Sequence, residues 1–163
     1  MLLGGRPAFP LDRAASNVLL LAQALRADSA SGVYESALPL LGLGFGLTPS
    51  GDDLVGAALF ARLAAPGSRS SKAEWRHTAA KLADAAQARS SSISATLFAD
   101  LVAGRTFSSL HRLAETLADN EDQEAAIEAA RSLVEIGNSS GWDMLAGFIA
   151  GATGSLTSCE ELQ

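Results

Sequence analysis

The sequence predicts an all-α fold, a compact single-domain bundle of seven or eight helices. Apolar residues recur every three to four positions over most of the chain, and no segment alternates apolar and polar residues long enough to form a strand. Hydrophobic residues make up 48% of the 163 residues but aromatic residues only 6%, so alanine and leucine must build the core. Small side chains let helices approach closely, and this length suffices for one domain with its own core.

The first helix is predicted from breakers and spacing. Residues 1–10 hold four glycines or prolines, so we expect an irregular arm there. Asp12 suits the N-cap of a helix that runs to about Asp28. Its apolar stripe consists of Ala15, Val18, Leu19, Ala22 and Leu25. Leu20 and Leu21 lie off this stripe, which predicts burial on more than one side.

A glycine-rich segment follows a second, short helix. The Ser31-Gly32 pair is expected to end the first helix, and a short helix over 34–41 leads into Gly42-Leu43-Gly44-Phe45-Gly46-Leu47-Thr48-Pro49-Ser50-Gly51-Asp52-Asp53. Thr48 is a suitable N-cap, and Pro49 then occupies the first helical position, where its missing N–H costs nothing. The sequence therefore predicts a core-facing helix that starts here and ends before 65–67.

Four further helices are predicted between residues 71 and 137, and a last one over 140–152 precedes a polar tail over 155–163. Ser71 and Glu74 have the spacing of a capping box, and Ser108 and Asn120 are expected to cap the third and fourth of these helices. Their apolar faces are, in chain order, Trp75, Ala79, Leu82 and Ala86; Ile93, Leu97, Phe98 and Leu101; Leu110, Leu113 and Leu117; and Ile127, Ala130 and Val134.

Two helix starts share one sequence pattern. The pattern occurs once in Ser50-Gly51-Asp52-Asp53-Leu54-Val55 and again in Ser140-Gly141-Trp142-Asp143-Met144-Leu145. Each copy follows a glycine-containing loop and begins an apolar helix. The free N–H groups at a helix N-terminus bind phosphate or carboxylate groups well. The match predicts that the two starts, which bear Asp53 and Asp143, face the same cleft.

Three segments resemble the AllH-like family. They are the stretch from Gly46 to Asp53, the serines of 90–94 followed by Gly104, and the stretch 137–147, so the resemblance spans about 40–150. The best-characterised type in that family is a subunit of oxamate carbamoyltransferase, from anaerobic allantoin breakdown. The resemblance implies carbamoyl transfer between phosphate and oxamate. Two departures are Phe45, where the family more often has proline, and an N-terminal region that this chain mostly lacks.

The helix starts and their loops suit a small anionic substrate. The predicted binding residues are Gly44, Gly46, Thr48, Ser50, Gly51, Asp52, Asp53, Ser91, Ser94, Asn138, Ser140, Gly141 and Asp143. Of the two adjacent aspartates, Asp53 is the better candidate for ligand contact, because Asp143 holds the same position in the second copy of the pattern. Asp52 is expected to support N–H groups of the glycine loop. Arg89 and Arg105 are the nearest cations that could clamp an anion. No catalytic residue is assigned.

Other roles for these residues stay open. Asp53 and Asp143 could hold Mg²⁺, although the favoured interpretation is that no metal binds and no cofactor is needed. A carboxyl group buried beside a like charge could instead act as an acid. In the structural alternative, the aspartates and serines only cap helices at the surface.

Composition argues against several classes of function. The formal net charge is −6 and no basic run is present, so nucleic acid and anionic membranes are poor partners. Cys159 is the single cysteine, which excludes a disulfide within the chain and indicates a cytoplasmic protein. His77 and His111 lack the spacing of a zinc site. The glycine segment has neither the lysine of a phosphate-binding P-loop nor the dinucleotide-binding spacing.

Two functional hypotheses follow. In the first, the chain is a subunit of a carbamoyltransferase-type enzyme, assembled with other subunits or with copies of itself, and binds carbamoyl phosphate, oxamate or a similar anion. In the alternative, it is a non-catalytic interaction or ligand-sensing subunit of a metabolic complex. A third, weaker possibility is a shortened family member that has lost activity.

Overall fold

A computed structural model describes residues 11–64, 72–119 and 122–153. These residues form eight α-helices and no strand, which confirms the predicted fold class. The helices are α1 (Leu11–Arg26), α2 (Ala30–Ala37), α3 (Ser50–Ala64), α4 (Lys72–Arg89), α5 (Ser92–Val102), α6 (Ser108–Asp119), α7 (Gln123–Val134) and α8 (Ser140–Thr153). The predicted arm over 1–10, the Ser71 cap and the polar tail lie outside the described residues.

Helix α3 lies at the centre and packs most extensively against α8. The two backbones touch, because a Cβ atom built on Gly147 would lie 2.0 Å from the carbonyl oxygen of Leu54, and one on Gly151 would lie 2.2 Å from that of Ala58. From the first contact to the second, the residue number rises by four in both helices, which is about one helical turn. The two helices therefore run parallel, and their N-terminal ends lie together.

Two apolar clusters flank α3. Leu59 belongs to the first cluster, which contains Trp75 of α4 and Phe98 of α5 and extends to α1 and α2. Phe60 belongs to the second, with α6, α7 and Phe148 of α8. Because α3 contributes to both clusters, burial surrounds it almost completely, and its first turn carries its aspartates into the interior. No helix within the described ranges is long and apolar enough to cross a membrane.

Several predicted helix starts were wrong because the capping residue was misassigned. α1 begins at Leu11, so Asp12 lies inside it. Ser29 caps α2 by accepting a hydrogen bond from the Gly32 N–H at 3.1 Å, so the pair expected to break a helix lies inside one. Asp122, whose side chain accepts from the Ala125 N–H at 2.9 Å, caps α7 in place of Asn120. α2 also ends at Ala37, before the predicted limit at 41.

The predicted apolar faces were correct for α4 and partly wrong elsewhere. All four residues expected on the inner face of α4 are buried. In contrast, Leu19 and Leu20 are more than half exposed, so α1 is buried on one side only, through Ala14, Leu21 and Leu25. The large apolar residues that were expected in the core but are exposed on later helices are Ile93, Leu117 and Ile127. In α7 the core side consists of small residues, Ala126 and Ala129, with Leu133.

Replacing Gly147 with alanine tests the backbone contact between α3 and α8. The added Cβ would meet the Leu54 carbonyl at 2.0 Å, so the helices must separate. Overpacking of this kind costs about 1–3 kcal/mol, and we expect the free energy of unfolding to fall by that amount in urea denaturation followed by circular dichroism. Ser132→Ala, on the exposed side of α7, serves as the control. Equal denaturation midpoints for the two variants would contradict the contact.

Candidate functional site

Asp52 fixes the glycine-rich loop between α2 and α3. Its Oδ1 accepts a hydrogen bond from the Gly42 N–H at 2.8 Å, and its Oδ2 accepts one from the Ser94 hydroxyl at 2.6 Å. The residue is buried. One of the two adjacent aspartates therefore supports an N–H group of the loop, as predicted, and ties the loop to α5.

Two glycines make the path of this loop possible. Gly42 has φ +76° and Gly44 has φ +136°, both in the region that residues with a Cβ rarely adopt. A Cβ on Gly42 would also lie 2.3 Å from the carbonyl oxygen of Arg89. Further along, the Ser91 hydroxyl donates to the Leu47 carbonyl at 2.7 Å and accepts from the Ser94 N–H, so the cap of α5 also holds the loop.

The predicted cap of α3 was wrong. The carbonyl of Pro49 accepts from the N–H groups of Asp52 and Asp53 at 2.9 and 3.3 Å, so Pro49 occupies the N-cap position and α3 begins at Ser50. The hydroxyl of Thr48 is therefore not used as a cap. It forms a hydrogen bond of 2.9 Å with the hydroxyl of Ser140, the first residue of α8.

The two Ser-Gly-x-Asp helix starts thus lie side by side, and their contacts are reciprocal. The Ser140 hydroxyl lies close enough to Asp53 to favour its charged form, and the Ser50 hydroxyl does the same for Asp143. Each helix start therefore places a serine hydroxyl beside the aspartate of the other.

The second residue of each start has the same structural role. A Cβ on Gly51 would lie 1.9 Å from the carbonyl oxygen of Leu40, and one on Gly141 would lie 2.1 Å from that of Leu133. Each helix start therefore passes directly over a carbonyl of the preceding segment, where only glycine fits. The sequence echo reflects a shared backbone arrangement.

Burial dominates the electrostatics of the aspartate pair. Asp53 is only 5% exposed, and burial raises its pKa to about 7, helped by the charges of Asp143 and Asp52 and opposed by the hydroxyls of Ser140 and Thr48. Burial also raises the pKa of Asp143, against the hydroxyls of Ser50 and Ser139. One proton can therefore reside on the pair near neutral pH.

Each aspartate of the pair keeps one unsatisfied acceptor. The Oδ2 atoms of Asp53 and Asp143 are buried and have no hydrogen-bond partner in the part of the chain that the structure describes. The hydroxyls of Ser140 and Thr48 lie close enough to Asp53 to lower its pKa, but the side-chain hydrogen bond that they form is with each other. The pair therefore combines a removable proton with free acceptor positions.

The remaining predicted residues have more peripheral positions. Gly46 and Asn138 are exposed, the latter in the turn before α8. Arg89 donates to the Leu38 carbonyl at 3.1 Å, and Arg105 pairs with Asp100 at 2.6 Å, so both predicted anion clamps have structural partners. Sequence reasoning missed Ser139, whose position immediately before the second Ser-Gly-x-Asp start was the available signal.

A magnesium site would depend on few ligands. The described segments contain no group of three or more histidine, cysteine, aspartate or glutamate side chains that could hold a metal ion. Such an ion would rest on Asp53 and Asp143 alone among carboxylates, with hydroxyls or water completing its coordination.

A groove of about 640 Å³ lies elsewhere, near the C-terminal ends of α3 and α8, and none of the predicted binding residues lines it. Its floor includes Phe60, Leu101 and Phe148. Size alone favours this groove as a ligand site. The N-terminal ends of α3 and α8 have the stronger chemical case, because unpaired buried acceptors and the positive ends of two helices meet there.

Comparison with known proteins gives one match. The family model for oxamate carbamoyltransferase subunit AllH matches residues 40–152, which include the glycine loop and both Ser-Gly-x-Asp helix starts. Searches of curated proteins and of solved structures returned no match.

The pH dependence of stability tests the environment of Asp53. Its pKa is about 7 in the folded protein and 3.8 ordinarily, so protonation stabilises the fold. This stability is fully present below about pH 4 and is lost as the pH rises through 7. We expect Asp53→Asn, which stays neutral, to gain up to about 4 kcal/mol over the wild type between pH 4 and pH 8 in urea denaturation.

The exposed Asp84 on α4 provides the matched control. The free energy of unfolding of Asp84→Asn should differ from that of the wild type by the same amount at every pH in this range. Parallel stability curves for Asp53→Asn and the wild type would contradict the raised pKa.

Proposed function

Because the chain belongs to the AllH family, we propose that it is a subunit of a carbamoyltransferase-type enzyme that binds a small anionic substrate where α3 and α8 begin. Carbamoyl phosphate, oxamate or a similar compound is the substrate class. The observation that supports this proposal is the direct contact of the two helix starts through Thr48 and Ser140. The positive ends of two helix dipoles then point the same way, and each attracts anionic oxygens.

Carbamoyl transfer fits this chemistry without a nucleophilic side chain. Direct transfer requires that the acceptor nitrogen be held against the carbonyl carbon of the carbamoyl group. The charge that develops on the carbonyl oxygen must be stabilised as the C–N bond forms and phosphate leaves with the C–O bond electrons. The hydroxyl that accepts the hydrogen bond between Thr48 and Ser140 keeps its own proton and can supply one hydrogen-bond donor for this purpose. The Asp53–Asp143 pair can take up and return one proton near neutral pH, as a general base and acid must.

A non-catalytic partner role is the second candidate, and a separate observation favours it. Large apolar side chains are exposed around the helix starts: Phe45 at 76%, Leu47 at 67% and Trp142 at 61%. Exposed apolar residues of this size are typical of protein interfaces. The family description names a subunit, so we propose that other protein subunits complete the enzyme.

Calorimetric titration of the purified chain with inorganic phosphate, carbamoyl phosphate and oxamate tests the binding proposal. We expect the Thr48→Val/Ser140→Ala double variant to bind each anion at least about tenfold more weakly, because the hydrogen bond from the remaining hydroxyl donor to a charged group is lost. Thr96→Ala, on the exposed side of α5, should bind like the wild type.

Two results would count against the proposal in different ways. Unchanged affinities in the double variant would move the anion site elsewhere. If the wild-type chain binds none of these anions but is still required for the activity of an assembled complex, the partner role is correct instead.

A further inference from the structure

The aspartates at the paired helix starts have more acceptor capacity than their surroundings satisfy. Asp53 is only 5% exposed. Its Oδ2 atom and that of Asp143 are buried and have no hydrogen-bond partner among the described residues. Asp52 provides the internal comparison, because the Gly42 N–H and the Ser94 hydroxyl satisfy both of its oxygens. The fold can satisfy a buried carboxylate in this region, yet leaves two acceptors open.

The hydroxyls of the helix starts lie near these acceptors but do not pair with either Oδ2. The hydroxyls of Thr48 and Ser140 form a hydrogen bond with each other. Buried acceptors without partners cost free energy, so a ligand that brings donors would bind there with a large advantage. Asp143 retains partial exposure, which leaves the edge of the pair accessible from solvent.

We propose that the Oδ2 atoms of Asp53 and Asp143 accept hydrogen bonds from the NH₂ group of a carbamoyl or primary amide ligand, and that these residues determine the specificity of the site. This inference rests on the proposed function and extends it to the choice between similar substrates. Both aspartates lie in the fourth position of their helices, at the positive end of each helix dipole. The positive ends of the two helices then attract the anionic part of the ligand, and the carboxyl pair binds its nitrogen.

Other occupants fit these acceptors less well. An anion without N–H or O–H donors would leave both Oδ2 atoms unpaired. A metal ion would lack a third carboxylate, histidine or cysteine ligand within the described segments. A primary amide offers two donors on one nitrogen, one for each of the two open acceptors. Sites built around buried hydrogen-bonding groups reject analogues that lack the matching group.

Oxamate, pyruvate and oxalate form a matched set of probes for this specificity. Pyruvate carries a methyl group where oxamate has NH₂, and oxalate carries a carboxylate oxygen there. In calorimetric titrations of the purified chain at pH 7, we expect oxamate to bind at least about tenfold more tightly than pyruvate, and oxalate to bind more weakly than oxamate.

Substitution of each aspartate should remove the preference for the amide. In Asp53→Leu and Asp143→Leu, which keep the side-chain shape without an acceptor, we expect the oxamate-to-pyruvate affinity ratio to approach one, while inorganic phosphate binds within about threefold of the wild type. The Asn variants keep one acceptor oxygen and should restore part of the ratio. Asp84→Leu, on the exposed side of α4, should leave the ratio unchanged. Circular dichroism checks that each variant is folded.

The outcomes separate this inference from the function on which it rests. Equal affinity for oxamate and pyruvate in the wild type, with phosphate still bound, overturns the amide specificity and leaves the anion site intact. A preference that appears only when Mg²⁺ is added assigns the pair to a cation and also overturns it. Absence of binding for all of the anions removes the proposed site, and the inference falls with it.

Discussion

The backbone contact between α3 and α8 is the constraint on which the rest of the structure depends. Gly147 and Gly151 let α8 lie directly on the carbonyl groups of α3, with no side chain between the two backbones. Because this contact runs parallel, it fixes the relative height of the helices and places both N-terminal ends at one end of the molecule. The glycine loop and the turn before α8 then meet through one hydrogen bond between residues 92 positions apart.

Parallel packing of this kind has an electrostatic consequence. Adjacent helix N-termini bring together two partial positive charges, which repel each other and attract anions. Aspartates occur in the first turns of both helices, where their charge offsets this field. Burial nevertheless outweighs the helix field at Asp53, since its pKa is raised to about 7. The carboxyl pair is therefore held in an environment that stability alone would not favour, as is common at functional sites.

Two neighbouring aspartates in one helical turn illustrate how far a sequence can predict such a site. Adjacent residues point about a hundred degrees apart on a helix, so different roles for Asp52 and Asp53 could be predicted. Because Asp143 holds the position of Asp53 in the second copy of the pattern, Asp53 was the predicted ligand contact. The pairing of the helix starts could be predicted because two copies of one pattern imply two equivalent structures. Whether these residues bind a ligand stays a prediction.

Details that depend on competition between similar groups were not predictable from the sequence. Ser29 and Ser31 are both able caps, and only the path of the chain after α1 selects Ser29 for α2. Thr48 has the chemistry of a cap, but the arrival of Ser140 from the far end of the chain gives its hydroxyl another partner. Likewise, the buried face of α1 was predicted wrongly. Leu19, Leu20 and Leu21 point to different sides of the helix, and only tertiary packing decides that Leu21 is the buried one.

A single proton on the carboxyl pair links the charge of the site to its proposed selectivity. With no proton, two buried carboxylates would repel an anionic substrate from the positive helix ends that should attract it. With two protons, the pair would lose its ability to accept a proton during transfer. The raised pKa of Asp53, together with that of Asp143, favours the intermediate state near neutral pH. In that state the pair offers acceptors to an amide nitrogen and one donor to a neighbouring oxygen, which is the complement of a carbamoyl group.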